Sequence, residues 1–153
     1  MVYVTHLGYA HQGFLFGLED NWARIKAIIG DDPFVIAGHS RGAGEATLMT
    51  GLAVRSGKYP LKRIVFGEPR SCDANFAKII SVVPSSSYCN DDASEIDPVV
   101  EVPLDIPLVA PYARVKPLTK LRFVAGQNNP WMSLGRIRCH YMPSYLASLE
   151  ASL

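Results

Sequence analysis

The chain has 153 residues, 48% of them apolar and 19% charged, with a formal net charge of +1. That is enough to bury one sizeable core, and a single domain over residues 1–153 is expected. A balance this close to neutrality offers no electrostatic footprint for nucleic acid or an anionic membrane surface, and no apolar run approaches the ~20 residues of a membrane span. The N-terminus lacks a basic segment followed by an apolar one, so no secretory signal is visible and a cytoplasmic location is expected. Cys72, Cys89 and Cys139 show no C-x-x-C spacing, and an odd count leaves at least one thiol free. Buried free cysteines are the expected reading, with neither a metal nor a cofactor.

Along the chain, Val2–Val4 reads as a first short strand. Phe14, Leu18, Trp22, Ile25 and Ile29 recur every three or four residues, which predicts one amphipathic helix from Phe14 to Ile29 with Trp22 in its buried stripe. Gly30-Asp31-Asp32-Pro33 ends it. A strand Phe34–Ala37 and a helix to about Arg55 follow, closed by the turn cluster Ser56–Pro60. Arg63–Phe66 reads as the next strand, and Asp73 as the cap of a helix holding Phe76, Ala77, Ile79 and Ile80. A short strand is expected near Tyr88 and Cys89. Prolines at 98, 103, 107, 111 and 117 forbid one long helix in the next segment. Leu121–Val124 reads as a strand and Pro143–Leu153 as a closing helix. Strand and helix alternating at these intervals predict an α/β fold, a mostly parallel central sheet with helices on both faces.

Between the second strand and its helix stands Gly38-His39-Ser40-Arg41-Gly42. Alone, G-x-S-x-G is only moderately specific; flanked by strand and helix it is the pattern of a nucleophile elbow. The serine needs a strained turn, and side chains two residues before or after it are expected to clash with neighbouring backbone. A serine hydroxyl is a weak nucleophile at neutral pH, so it needs a histidine base and a carboxylate to orient that base. Of the four histidines, His6, His11 and His39 precede or flank Ser40, which leaves His140 as the base. His11 and His39 are expected to be structural hydrogen-bonding groups. Asp97, Asp91, Asp92 and Asp105 all lie between Ser40 and His140, and composition alone leaves Asp97 barely ahead. Trp131 either lines a substrate cleft or packs at the surface. Leu104, Ile106, Leu108 and Val109 are expected to pack in the core, the alternative being an acyl-binding wall or flap.

Four segments resemble the class 3 lipases, the fungal-lipase-like branch of the α/β-hydrolases. His11-Gln12-Gly13-Phe14 is similar to the family's H-x-G-F. Phe66-Gly67-Glu68-Pro69-Arg70, with Asn75-Phe76, resembles its F-G-x-P-R…N-x-F. Asp97-Pro98-Val99-Val100-Glu101-Val102-Pro103 resembles its D-x-V-x-x-x-P, and His140 with Tyr145 its H-x-x-x-x-Y. The resemblance implies a small α/β-hydrolase-like fold in which Ser40 is the nucleophile, Asp97 the orienting acid and His140 the general base. It also implies hydrolysis of carboxylic esters or lipids through an acyl-enzyme. The alternatives on the same triad are a thioesterase, an acyltransferase or an amidase.

Three departures shape the expectations. The elbow reads H-S-R-G-A where the family has H-S-L-G-G, which sets a cation at Arg41 beside the nucleophile unless Glu45 holds it. The gap from Asn90 to Asp97 is longer than usual, which keeps Asp91 and Asp92 as alternative acids. Only ten residues precede His11, too few for the family's F-R-G-[ST] strand and its lid, so the N-terminal strands are expected to be reduced or missing. The Arg41 backbone N–H then supplies one oxyanion donor, while the second is left to Thr5, His6, an upstream segment or a partner chain. A missing donor would leave a catalytically weak or partner-dependent remnant. An open sheet edge would offer a second copy of the chain a pairing surface, and the missing lid implies hydrolysis of soluble short-chain esters without an oil–water interface.

Overall fold

The computed structural model describes residues 1–91, 96–104, 111–124 and 135–153. Strands β1 (Val2–Val4) and β2 (Gly8–Ala10) form an antiparallel hairpin, followed by helices α1 (Gln12–Leu15) and α2 (Leu18–Ile29). Then come β3 (Val35–His39), α3 (Arg41–Arg55), β4 (Lys62–Phe66), α4 (Ala74–Ile80) and β5 (Ser85–Asn90). A 3-10 turn at Pro98–Glu101, strand β6 (Thr119–Leu121), a second 3-10 turn at Gly135–His140 and α5 (Met142–Glu150) complete the described chain. The central sheet runs β3-β4-β5-β6, all parallel.

Helices cover both faces of this sheet. Val65 is fully buried against Ala43 and Ala46 of α3. Its neighbour Phe66 points the opposite way, stacks on Tyr88 of β5 at 5.2 Å and meets Tyr145 of α5 edge-on at 5.7 Å. The face toward α3 also buries an ion pair. Arg63 is wholly inaccessible, and its guanidinium reaches Glu68 Oε1 at 2.6 Å, Thr47 Oγ1 at 2.6 Å and Ser87 Oγ at 3.0 Å. The main apolar core lies on the outer side of α3, where Leu48 and Leu52 meet Leu7, Phe76 and Ile80.

The expected Phe14–Ile29 helix is two helices. Gly17 adopts a left-handed φ of 74°, which ends α1 and restarts the chain as α2, leaving Phe16 exposed. Leu18 and Trp22 bury as the stripe requires, with the Trp22 indole N–H donating to Ser56 Oγ at 3.1 Å. Ile25 does not bury, and among the described residues no strand pairs with the outer edge of β3. A groove of about 460 Å³ follows that edge, lined by Leu18, Ile25, Ile36, Ala37, Ala46 and Met49 among others. The strand expected at Leu121–Val124 instead spans Thr119–Leu121. Past Leu121 the backbone turns from the sheet to α5, where the Val124 N–H donates to Ser148 Oγ at 2.9 Å. Asp73 does cap α4, its carboxylate accepting from the Phe76 N–H at 2.8 Å. No helix among the described residues is long and apolar enough to cross a membrane.

Candidate active site

Ser40 follows β3 directly and holds φ 58° and ψ −130°, a strained conformation for a residue with a side chain. Two things keep it there. Its N–H donates to the Phe66 carbonyl at 3.0 Å, and its carbonyl accepts from Ala43 and Gly44 in the first turn of α3. Gly38 is obligatory, since a Cβ there would lie 2.3 Å from the Gly42 carbonyl oxygen. The expected clash at Gly42 is absent: beyond its own helix backbone, a Cβ there would meet nothing within 4 Å among the described residues, because the elbow crowds its strand side rather than its helix side. The Arg41 N–H is the first of helix α3 and has no intrahelical acceptor. The Arg41 side chain is exposed and paired with Glu45 at 2.7 Å, so its charge is engaged along the helix.

His140 ends the second 3-10 turn, and its Nε2 lies 2.6 Å from Ser40 Oγ. On its other side Nδ1 lies 2.8 Å from Asp97 Oδ2 and 3.0 Å from Oδ1. Asp97 stands seven residues beyond the end of β5, yet its N–H donates to the Asn90 carbonyl at 3.0 Å, and Asp91 bridges to Ile96. These contacts bring Asp97 back to the strand end. Asp91 is engaged elsewhere, 2.5 Å from Lys120 Nζ. Asp92, Asp105 and Trp131 lie outside the described residues, as do Ile106, Leu108 and Val109; Leu104 is exposed.

The Asp97 carboxylate is fully buried and well partnered. Tyr145 donates its hydroxyl to Oδ2 at 2.5 Å, and the Val99 N–H donates to Oδ1 at 2.8 Å. Burial works to raise this carboxyl, but the hydrogen bonds from His140 and Tyr145 outweigh it and hold Asp97 below the ordinary carboxylate range. Tyr145 is pushed upward by burial and by the neighbouring Asp97 charge, which keeps it a donor.

Two residues matter here to which the sequence assigned no role of their own. Buried Asn90 donates its side-chain amide to the Cys139 carbonyl at 2.7 Å, anchoring the residue before His140. The signal was a carboxamide ending a strand buried on both faces. Gly67 has φ 56°, and a Cβ there would sit 2.7 Å from Asp97 Oδ2 and 2.9 Å from His140 Nδ1. Gly67→Ala should therefore push the acid and base apart and lower kcat on a soluble ester by about 10²-fold, read from steady-state kinetics at matched folded fraction.

Thr5 and His6 are not brought to the elbow. Their hairpin turn leads into Leu7, which packs against Gly51, and the ten residues from Arg41 to Gly51 put that point ~15 Å along α3 from Ser40. His11 serves structure, accepting the Gly13 N–H at its Nδ1 and stacking near Phe14. Among the described residues, no group of three or more His, Cys, Asp or Glu converges as a metal-ligand set.

A profile of the class 3 lipases matches residues 3–105, well over half of the chain. The chain belongs to the class 3 lipase family. Solved lipase structures share its fold. An MDLA mutant form from Penicillium cyclopium is 27% identical over 77% of this chain and 44% of its own, with a TM-score of 0.58. A mono- and diacylglycerol lipase from Aspergillus oryzae is 21% identical over 91% of this chain and 61% of its own, at 0.63. A triacylglycerol lipase whose catalytic centre is a serine protease triad is 20% identical over 84% of this chain and 50% of its own, at 0.56. This lipase-family chain thus spans roughly half the length of the structures it matches. No curated protein matches it significantly.

Proposed function

We propose that this chain hydrolyses carboxylic esters through an acyl-enzyme on Ser40, with His140 as general base and acid and Asp97 as its orienting partner. The observation that carries this reading is the unbroken hydrogen-bond chain from Ser40 Oγ through both His140 nitrogens to Asp97 Oδ2. As Ser40 Oγ bonds to the ester carbonyl carbon, its proton passes to His140 Nε2. The imidazolium gives that proton to the leaving alcohol oxygen as the carbon–oxygen bond breaks. Water, deprotonated by His140 in turn, then releases the carboxylic acid and restores Ser40. Asp97 stays ionised throughout, because its hydrogen bonds favour the charged form. The N–H of Arg41 faces the developing oxyanion with the positive end of a 15-residue helix behind it.

A second reading is favoured by the outer edge of β3, which no strand among the described residues pairs: with one oxyanion donor from the elbow, turnover is slow unless another segment or chain supplies the second. One missing donor corresponds to about 10²–10³ in rate, which slows a Ser-His-Asp site without abolishing it. Stopped-flow mixing with p-nitrophenyl butyrate tests both readings. A burst of up to one equivalent of nitrophenolate followed by slower turnover is expected, the burst vanishing in Ser40→Ala. Linear release that survives Ser40→Ala would overturn the proposal.

A further inference from the structure

The proposed triad leaves His39, the residue immediately before the nucleophile, without a task. It is half-buried, and its surroundings are specific. Its Nε2 lies 2.6 Å from the backbone carbonyl oxygen of His140. Its ring stacks on the His140 ring, with centroids 4.7 Å apart and planes inclined by 28°, and its edge meets the Tyr145 ring at 5.8 Å. A carbonyl oxygen can only accept, so Nε2 of His39 carries the proton and Nδ1 carries none when the ring is neutral.

We infer that His39 is a positioning residue that holds His140 on Ser40 through the hydrogen bond to the His140 carbonyl and the ring stack, and that it does so as a neutral Nε2–H tautomer. The inference rests on the proposed triad. The strand that presents Ser40 thereby also grips the base, so nucleophile and base are registered through one rigid element instead of through two separate loops. His140 reaches the site from a 3-10 turn more than a hundred residues along the chain and needs such a tie. Neutrality matters because His140 becomes an imidazolium when it takes the Ser40 proton, and a cation stacked on it would oppose that step. Among the described residues, the charged and titratable groups that face His39 are His140 beneath its ring, Asp97 beyond His140, and Tyr145 from α5. Burial holds His39 below the ordinary histidine range, outweighing the opposing pulls of its hydrogen bond and of Asp97.

The test pairs two variants with a measurement on the unaltered protein. His39→Phe keeps a stacking ring but removes the donor, and His39→Gln keeps a donor near the Nε2 position without the ring. With p-nitrophenyl butyrate, His39→Phe should lower the acylation rate about 10- to 100-fold at a KM within a factor of about two, and His39→Gln should recover most of that loss. Nitrogen-15 histidine spectra of the unaltered protein should show His39 protonated at Nε2 and bare at Nδ1 from pH 6 to 8. The same spectra should show the His140 Nδ1 proton bridging to Asp97, a signal that shifts or broadens in His39→Phe. Unchanged acylation in a folded His39→Phe, equal impairment in both variants, or an Nδ1-protonated His39 would each overturn the inference while leaving the triad intact. An unaltered protein that shows no acylation of Ser40 would overturn the triad and this inference together.

Discussion

Replacing Ser40 by alanine should lower kcat on a soluble ester by about 10⁴- to 10⁶-fold, and His140→Ala should cost nearly as much. The two losses should not add, because each residue is useless without the other: the double variant should be no slower than the worse single one within about tenfold. Asp97→Asn should cost about 10⁴-fold for a different reason. The Asp97 carboxylate accepts from His140 Nδ1, the Tyr145 hydroxyl and the Val99 N–H. An asparagine offers one oxygen and one amide N–H₂, so either His140 adopts the wrong tautomer or a donor faces a donor. This site also contributes to stability with a definite sign. Because the folded carboxyl lies below its ordinary value of 3.8, its contribution is complete above that value and is lost as pH falls through the folded one. Melting temperatures measured from pH 6 down to pH 2.5 should therefore fall more steeply in the unaltered protein than in Asp97→Asn.

Glu68→Ala should destabilise the fold by about 3–5 kcal/mol, the largest stability loss expected from any single polar substitution here. Arg63 is completely buried, and among the described residues Glu68 is its one carboxylate partner; Thr47, Ser85 and Ser87 offer only neutral hydroxyls. Removing Glu68 leaves a guanidinium in the core without compensation. Replacing both charged residues with apolar ones of similar volume, Arg63→Met with Glu68→Leu, should cost far less than the single change, because no charge is then left behind. Urea unfolding of both variants beside the parent checks this. A single variant within about 1 kcal/mol of the parent would contradict the burial argument.

The sequence made the candidate site's residues more legible than their supports. Ser40 was readable because an elbow has a local signature, strand then glycine-flanked serine then helix. His140 was readable because so few histidines exist. Asp97 needed family likeness: what returns it to the strand end is a backbone hydrogen bond to Asn90, and no spacing rule encodes that closure. The break at Gly17 carried a visible glycine, yet the apolar periodicity on both sides outweighed it. Gly67 stood in the family-like F-G-x-P-R segment, but its close approach to Asp97 and His140, like the hydrogen bond of Asn90 to the Cys139 carbonyl, is a contact in space whose role no linear pattern displays. Thr5 and His6 were one of several open alternatives for the second oxyanion donor, and their position also depends on contacts in space. The hairpin is drawn to the α3–α4 core by Leu7, and the Asn75 side-chain amide ties it there by donating to the Leu7 carbonyl at 2.9 Å.

The most direct measurement is covalent labelling with a fluorophosphonate, followed by peptide mass mapping. The phosphorus is attacked only by a serine whose proton a base can take, whatever the natural ester is. One equivalent of label on Ser40, with labelling at least about 10³-fold slower in His140→Ala, is the predicted result. A folded protein that stays unlabelled at Ser40, or that labels equally fast without His140, would contradict the account.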